Sequence, residues 1–386
     1  MTVSAPALDA LSVGPVGPRL ERIHDWIRRD FGGIERVAVA LYDLKSDRLK
    51  TFIHSTQGGT PLEHYQAVLA EVPSLEELAR SGQPRVIDDL SVFQGSPSEH
   101  SRRLLARGYR SSYALPLREN HRLWAFLFFD SLEPGYFQPA VTERLDLFSQ
   151  FVAAILSHSI APIRMLQQSL RMVSTLSHYR DPETQGHLDR MSRYCHLIAR
   201  ELARRIELSD EYVEFLYMFA PLHDVGKIAI PDAVLLKESR LTEAEFEIMK
   251  GHAVKGGEIV DALVTQLGLE AFPHIDMLGN VARFHHEAID GSGYPQGLAG
   301  GAIPLEARIV AVADVFDALT SRRRYKKAWR TDEALAYLHE RAGSKFDPEC
   351  VHALQVRIEE ADAVRLLFPD AGDDPYQSRE GYGPDL

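Results

Sequence analysis

Apolar and polar positions alternate along the first third of the chain and fall at helical spacing along most of the rest. Leu20, Ile23, Trp26 and Ile27 recur every three or four residues within 18–31, as on a helix with one apolar face. Val37, Val39 and Leu41 alternate with smaller or polar neighbours over 36–42, a strand pattern; a polar turn at 43–47 leads to a second strand over 49–54. Ser74 and Glu77 stand as a capping box opening a short helix that Gly82 ends. A second strand pair, 112–117 and 123–129, flanks Glu119-Asn120-His121, and a helix begins near Pro139. Helix, hairpin, helices, hairpin, helix is the order of an α+β domain on an antiparallel sheet.

From 139 to 178 the periodicity is helical throughout. Leu145, Phe148, Val152 and Ile155 form one stripe, and Ile163, Leu166, Leu170 and Val173 resume it beyond Pro162. Such a stripe suits a parallel coiled coil in a homodimer; the alternative is a helix packed on its own chain. Pro162 is expected to kink or interrupt it. Between about 165 and 362 the pattern stays helical, punctuated by cap signals: Asp181-Pro182, the capping box Thr242 to Glu245, and Asp347-Pro348. Residues 1–17 read as a flexible leader and 369–386 as a polar tail. No internal repeat is visible.

Composition narrows the picture. The 386 residues are 45% hydrophobic and 25% charged, values of a globular chain of two or three domains. No run of about 18 apolar residues appears, so no membrane span is expected. Cys195 and Cys350 sit far apart in helical patterns and fit buried thiols in a reducing cytoplasm. A net charge of −12 argues against a protein that coats duplex nucleic acid, but metal ions and a few local cations can still hold an anionic substrate.

The 16 histidines matter by placement. Glu183 and His187 are four residues apart, on one face of a helix. His223 and Asp224 adjoin in LHDVGK, His252 lies in MKGHAVKGG, His285 and His286 adjoin in FHHEAIDGSGYP, and Asp314 interrupts the apolar run VAVADVFDAL. Each has a bland alternative: a satisfied core histidine, or a carboxylate serving a helix end. Together they place polar groups directly after or inside apolar runs, where burial without partners is costly and a metal cluster would neutralise them at once. In the N-terminal part, His54, His64, His100 and His121 read as surface or loop histidines.

Two family resemblances follow. The strand order over 18–160 and the run ALPLRENHRLWAFLFFD resemble a GAF domain, a small-molecule sensor or dimerisation fold. The runs DPETQGHLDR, LHDVGKIAIPDAVLLK, LTEAEFEIMKGH, HHEAIDGSGYP and ARIVAVADVFDALTSRRRYKKA resemble an HD-GYP domain, a branch of the HD phosphohydrolases, over 165–368. The resemblance implies an all-α domain that hydrolyses cyclic di-GMP, to linear dinucleotide and GMP, at two or three divalent ions. His187, His223, Asp224 and Asp314 match its core ligands, with Asp224 bridging; His252, His285 and His286 match those of the second ion, and Glu183 a third in some members. Lys227 matches a lysine for the phosphate or nucleophile, Arg323 and Lys326 match phosphate contacts, and Gly293, Tyr294 and Pro295 border the site in a loop that also serves as a partner-docking surface. Mixed imidazole and carboxylate ligation suits Fe or Mn.

Three departures from the family pattern stand out. The first motif reads ETQGH with its Glu-to-His spacing kept, Ala288-Ile289 replaces a common Arg-Trp, and Arg324 replaces a common Pro. No ligand is missing. The expectation is a cytoplasmic, homodimeric cyclic di-GMP phosphodiesterase regulated by its GAF-like domain, without duplex nucleic acid or membrane partners. The alternatives are a non-enzymatic docking module and a phosphodiesterase for another cyclic dinucleotide, such as a hybrid GMP–AMP ring; a nucleotidase of the wider HD class fits less well.

Overall fold

Alternating β-branched and aromatic residues build an antiparallel sheet whose two central hairpins are the two read from the sequence. The computed structural model describes residues 16–57, 62–95, 99–119, 121–178, 185–237, 239–270, 272–321 and 328–370. The expected leader up to residue 15, Glu183, the basic run 322–327 and the tail beyond 370 lie outside them. The chain divides into two compact units, the first running to Ile163 and taking in the short segments Ser209–Glu211 and Ala271–Pro273, the second made of the rest from Arg164 on.

In the first unit, helix α1 (Val16–Asp30) precedes strands β1 (Arg36–Asp43) and β2 (Arg48–Thr56). Strand β3 (Gln66–Val68), helix α2 (Pro73–Ser81), strand β4 (Arg85–Ile87) and helix α3 (Glu99–Ala106) come next, before β5 (Ser111–Glu119) and β6 (Arg122–Ser131). The sheet order is β3-β2-β1-β6-β5-β4, with every neighbouring pair antiparallel. Both edge strands are three residues long, too short to show alternation, and the sequence pattern passed over them. Val37 lies opposite Phe129 and Val39 opposite Leu127, so one face is apolar; α1 packs against β1 and β2, burying Leu20, Ile23 and Ile27.

Local signals had mixed outcomes. Gly82 ends α2 in the left-handed conformation, as expected. The capping box at Ser74 does not form: Pro73 takes the first helical position, Val72 is the N-cap, and Ser74 falls inside the helix. Glu77 turns to Arg80 instead.

Helix α4 (Pro139–His178) continues through Pro162, so of the kink or interruption expected there the interruption does not occur. Proline removes one backbone bond, and the buried neighbours on either side, Ser159, Ile160 and Ile163, keep the helix packed. The stripe expected to face a partner is corrected as well. Leu145, Val152, Ile163 and Leu166 are at most 1% exposed within this chain, so their face is already covered. By length and composition the part Pro139–Leu166 is apolar enough to cross a membrane, and a third of its apolar window is buried within the chain.

The second unit is helical; among the described residues its only β pairings are two isolated bridges. Helix α5 (Gln185–Leu202) is followed by α6 (Asp210–Phe219), two short 3-10 turns (Ala220–Leu222 and Val225–Ala229) and α7 (Asp232–Leu235). Then come α8 (Glu243–Leu267), α9 (Ile275–Phe284), α10 (Leu305–Thr320), α11 (Thr331–Glu340), α12 (Pro348–Val356) and α13 (Ile358–Leu367). Helix α5 is buried along nearly its whole length, packed by α10, α12 and α13. Helix α8 packs on α9 and on the turn Val225–Ala229. Thr242 and Glu245 form both bonds of the capping box, and Asp347 caps α12 ahead of Pro348, as read from the sequence. Cys195 and Cys350 are free and buried.

Candidate metal centre

Seven of the expected ligands converge in the second unit from five separate elements. His187 comes from the first turn of α5, and His223 and Asp224 from the junction of the two 3-10 turns. His252 projects from α8, His285 caps α9 with His286 after it, and Asp314 lies in α10. Ligand atoms of Asp224, His252, His285 and His286 all lie within 4.8 Å of one another, and so do those of His187, His223 and Asp314. Opposite ligands on one ion with bonds of about 2.1 Å stand about 4.2 Å apart, so each group matches one ion closely.

Close backbone approach makes this convergence possible. A Cβ on Gly226 would stand 2.0 Å from the His252 carbonyl oxygen and 2.4 Å from the Gly256 nitrogen. Only glycine lets the turn carrying Asp224 lie against the helix carrying His252.

The hydrogen bonds on the far side of each ring fix what the near side can do. Nδ1 of His223 bonds the Ala220 carbonyl at 2.9 Å, that of His252 the Met249 carbonyl at 2.7 Å, and that of His285 the Val281 carbonyl at 2.9 Å. A carbonyl only accepts, so each Nδ1 carries the proton and each neutral ring turns an Nε2 lone pair inward. These lone pairs meet a carboxylate: Asp224 Oδ1 lies 3.1 Å from His252 Nε2 and 3.6 Å from His285 Nε2, and Oδ2 lies 3.2 Å from His223 Nε2. Nε2 of His252 and His285 are themselves only 3.4 Å apart. Protonating all the rings is no remedy, because burial and the mutual repulsion of the imidazoles push the pKa values of His285 and His286 down. Acceptors facing acceptors in a buried cluster call for cations between them, and the donor set fits a metal centre. Burial alone would raise the pKa of Asp224, yet it is held well below the usual carboxylate range, with the Lys227 ammonium foremost among the groups that lower it, so it stands ionised between the two groups.

The rest of the site is arranged around this cluster. Lys227 Nζ lies 2.8 Å from Asp224 Oδ2, on the 3-10 turn that Asp224 opens. The Tyr294 ring lies 4.7 Å, centroid to centroid, from that of His286, with Lys250 5.6 Å from it. Gly291 has φ +81°, and a Cβ on Gly293 would stand 2.3 Å from the Ala288 nitrogen, so the loop folds tightly on the His-His turn. Pro295 follows Tyr294 through a cis peptide. Of the two residues that depart from the family pattern beside this loop, Ala288 is buried and Ile289 half-buried. Glu183, Arg323 and Lys326 lie outside the described residues.

Three residues not singled out in the sequence support the ligands. His187 Nδ1 lies 2.8 Å from Asp317 Oδ2, and Arg190 grips the same carboxylate with Nε at 2.6 Å and Nη2 at 2.9 Å. Burial would raise the Asp317 pKa, but His187 and Arg190 outweigh it and hold it at about 2. A carboxylate behind a ligating histidine orients the ring and strengthens it as a donor. The buried Glu287 accepts from the backbone N–H groups of Gln296 and Leu298 at 2.8 and 2.9 Å, pinning the Tyr294 loop. A signal for Asp317 existed in the sequence: it is a second carboxylate, one helical turn after Asp314, inside the same apolar helix.

Family comparison agrees with this geometry. Residues 172–350 match the HD domain family and residues 19–156 match the GAF domain family. The chain is 50% identical over 188 residues to the cyclic di-GMP phosphodiesterase response regulator RpfG of Xanthomonas campestris pv. campestris, covering 49% of this chain and 47% of that protein. It is 42% identical over 203 residues to a cyclic di-GMP phosphodiesterase of Vibrio cholerae, covering 52% of this chain and 41% of the relative. To the 3'3'-cGAMP-specific phosphodiesterase 2 of Vibrio cholerae it is 37% identical over 191 residues, covering 50% of this chain and 34% of the relative. In each case the chain spans less than half of the relative's own length.

Proposed function

We propose that this chain, which joins a GAF domain to an HD domain, is a metal-dependent phosphodiesterase that hydrolyses cyclic di-GMP. The observation that carries this is the buried set of inward-facing Nε2 lone pairs around the Asp224 carboxylate, a set suited to divalent ions and to little else. His187, His223 and Asp314 would hold one ion and His252, His285 and His286 another, with Asp224 serving both. Fe or Mn suits these donors, and Glu183 is the candidate ligand for a third ion. A pair of such ions, when bound, lowers the pKa of water and stabilises the charge on attacking and leaving oxygens.

The chain's own residues supply the remainder. Lys227, already against Asp224, offers a cation to a phosphate oxygen; Arg323 and Lys326 are the candidates for the other phosphate contacts. Tyr294, with Gly293 and Pro295, forms the wall on the His286 side, where an aromatic ring can stack on a base. The same loop is the candidate docking surface for a signalling partner. Products would be linear dinucleotide, GMP, or both.

A second substrate, 3'3'-cGAMP, is favoured by the 37% identity to a phosphodiesterase named for it. Turnover of the two cyclic dinucleotides in competition separates these: kcat/KM higher for cyclic di-GMP supports the proposal, and higher for cGAMP replaces it.

The domain assignment follows the same lines: a sensor and dimerisation domain over 18–160 and a catalytic domain over 165–368, acting in the cytoplasm. Dimerisation would use the exposed side of α4. Leu147, Phe151, Ala154, His158, Ala161 and Met165 are all exposed and alternate at spacings of four and three, the interval of a coiled-coil seam. Regulation by the GAF domain would be tested by whether activity changes when that domain binds a ligand.

A further inference from the structure

One face of the first unit's sheet carries a row that brings several polar side chains together. Register sets Ile87, Ser112, Asp130, Arg36 and Thr56 opposite one another on five successive strands. Opposed residues share a face, as do residues two apart on one strand, so Arg85 stands on this face too. Beside the row lies an apolar cluster that includes Tyr65, Leu90, Leu104 and Tyr109, with Ile87 packed against it.

Arg36 and Asp130 form an ion pair at 2.5 Å and are at most 3% exposed. That pair is neutral, and it leaves Arg85, half-buried beside it, as a further cation. Among the described residues Arg85 Nε and Nη1 have no hydrogen-bond partner, and the same holds for Arg36 Nε, Asp130 Oδ1 and the hydroxyl of Tyr109, a residue with no exposed surface. The Thr56 hydroxyl approaches that of Tyr109 without the geometry of a hydrogen bond. These atoms are neighbours: the Asp130 charge acts on both Arg85 and Tyr109, and the Arg36 charge acts on Tyr109. Burial lowers the Arg85 pKa to about 10, and the nearby Asp130 charge only partly opposes this.

Buried donors and acceptors left without partners are rare, because each loses its water and regains nothing. This patch combines three kinds: guanidinium donors with unspent positive charge, a phenolic hydroxyl and a carboxylate oxygen. We propose that it is a binding site for a small organic anion, whose carboxylate or phosphate accepts from Arg85 and Tyr109 while an amine or hydroxyl of the same molecule donates to Asp130. Arginine suits either oxyanion, and Asp130 selects ligands that carry a donor close to the charge.

Full-length protein titrated with inorganic phosphate, acetate and glycine, by calorimetry and by thermal unfolding, tests this. Saturable binding of phosphate alone marks a phosphorylated ligand. Binding of acetate marks a carboxylic one, and tighter binding of glycine than acetate marks the use of Asp130. Arg85→Met is expected to weaken whichever probe binds by about tenfold or more, since it removes a charge-assisted contact. Asp224→Ala, in the metal cluster of the other unit, should leave that binding unchanged. Without any anion, Arg85→Met should unfold at a higher temperature than wild type, because it removes a half-buried charge whose nearby carboxylate, Asp130, is already paired with Arg36. Three results would each overturn the proposal: no saturable binding of any probe, binding that survives Arg85→Met, or an anion-free Arg85→Met protein that unfolds at a lower temperature.

Discussion

At the scale of single residues, the support behind the ligands is where the chemistry is most exposed to change. Asp317 holds His187 and is itself gripped by Arg190. Asp317→Ala removes the ring's orienting partner and leaves the buried Arg190 guanidinium with Asp370 as its remaining carboxylate. Stability should fall by about 3–5 kcal/mol, and metal affinity at the His187 group by roughly 10- to 100-fold. Denaturant unfolding and metal titration of the same protein measure the two effects separately. The ligands themselves were legible because histidine beside apolar runs is conspicuous, and the family resemblance arranged them. Asp317 and Glu287 were less so. Each acts through the residue or loop that it holds, and a carboxylate doing that looks, in one sequence, like any other acid on a helix. The histidines at 54 and 121 took the bland course: His54 bonds Thr56 and Glu63, and His121 sits in the turn between β5 and β6 with φ +64°.

Elements meet where glycine lets them. Gly226→Ala would drive a methyl group into the His252 carbonyl and the Gly256 amide, so the turn Val225–Ala229 must move off α8. Overpacking of this kind costs about 1–3 kcal/mol. It should also separate Asp224 from His252, so metal binding at the His252 group should weaken more than at the His187 group. A metal titration of Gly226→Ala reads this directly. The start of α8 makes a pH prediction. Lys237, with the backbone and hydroxyl of Thr242, holds Glu245 at a pKa of about 2. A carboxylate with a depressed folded pKa contributes its full stability above its unfolded value of about 4.3. That contribution is lost as the pH falls from there toward about 2. Glu245→Gln should therefore be less stable than wild type at neutral pH, and the difference should shrink through that window in acid unfolding curves. For α4, Phe151→Glu should convert a dimer into a monomer in light scattering while leaving the buried Leu145–Val152 flank folded; an unchanged mass would place any dimer contact elsewhere. Cap signals with a clear donor and acceptor, at Thr242 and Asp347, were read correctly. The one at Ser74 was not, because Pro73 claimed the helix start one residue earlier. The stripe on α4 was assigned to a partner because periodicity shows that a face is apolar and not what covers it.

For the whole molecule, the order of motifs was enough to separate an α+β part from a helical part, since strand alternation stops before residue 139 and every metal-ligand candidate follows it. The edge strands β3 and β4 escaped notice at three residues each, as did the polar row across the sheet, which exists only once register brings five strands together. An acidic chain with a net charge of −12 can act on an anionic dinucleotide only if charge is arranged locally. The cluster around Asp224, with Lys227 and Lys250 at its margin, is such an arrangement once cations occupy it. Anaerobic turnover of cyclic di-GMP by full-length protein reconstituted with Fe or Mn, beside Asp224→Ala treated identically and with bound metal quantified in both, bears most directly on this. Linear dinucleotide or GMP from the wild type, with both product and bound metal lost in Asp224→Ala, is the predicted result. Metal-loaded wild type that forms no product, or product formation that persists in Asp224→Ala, would contradict it.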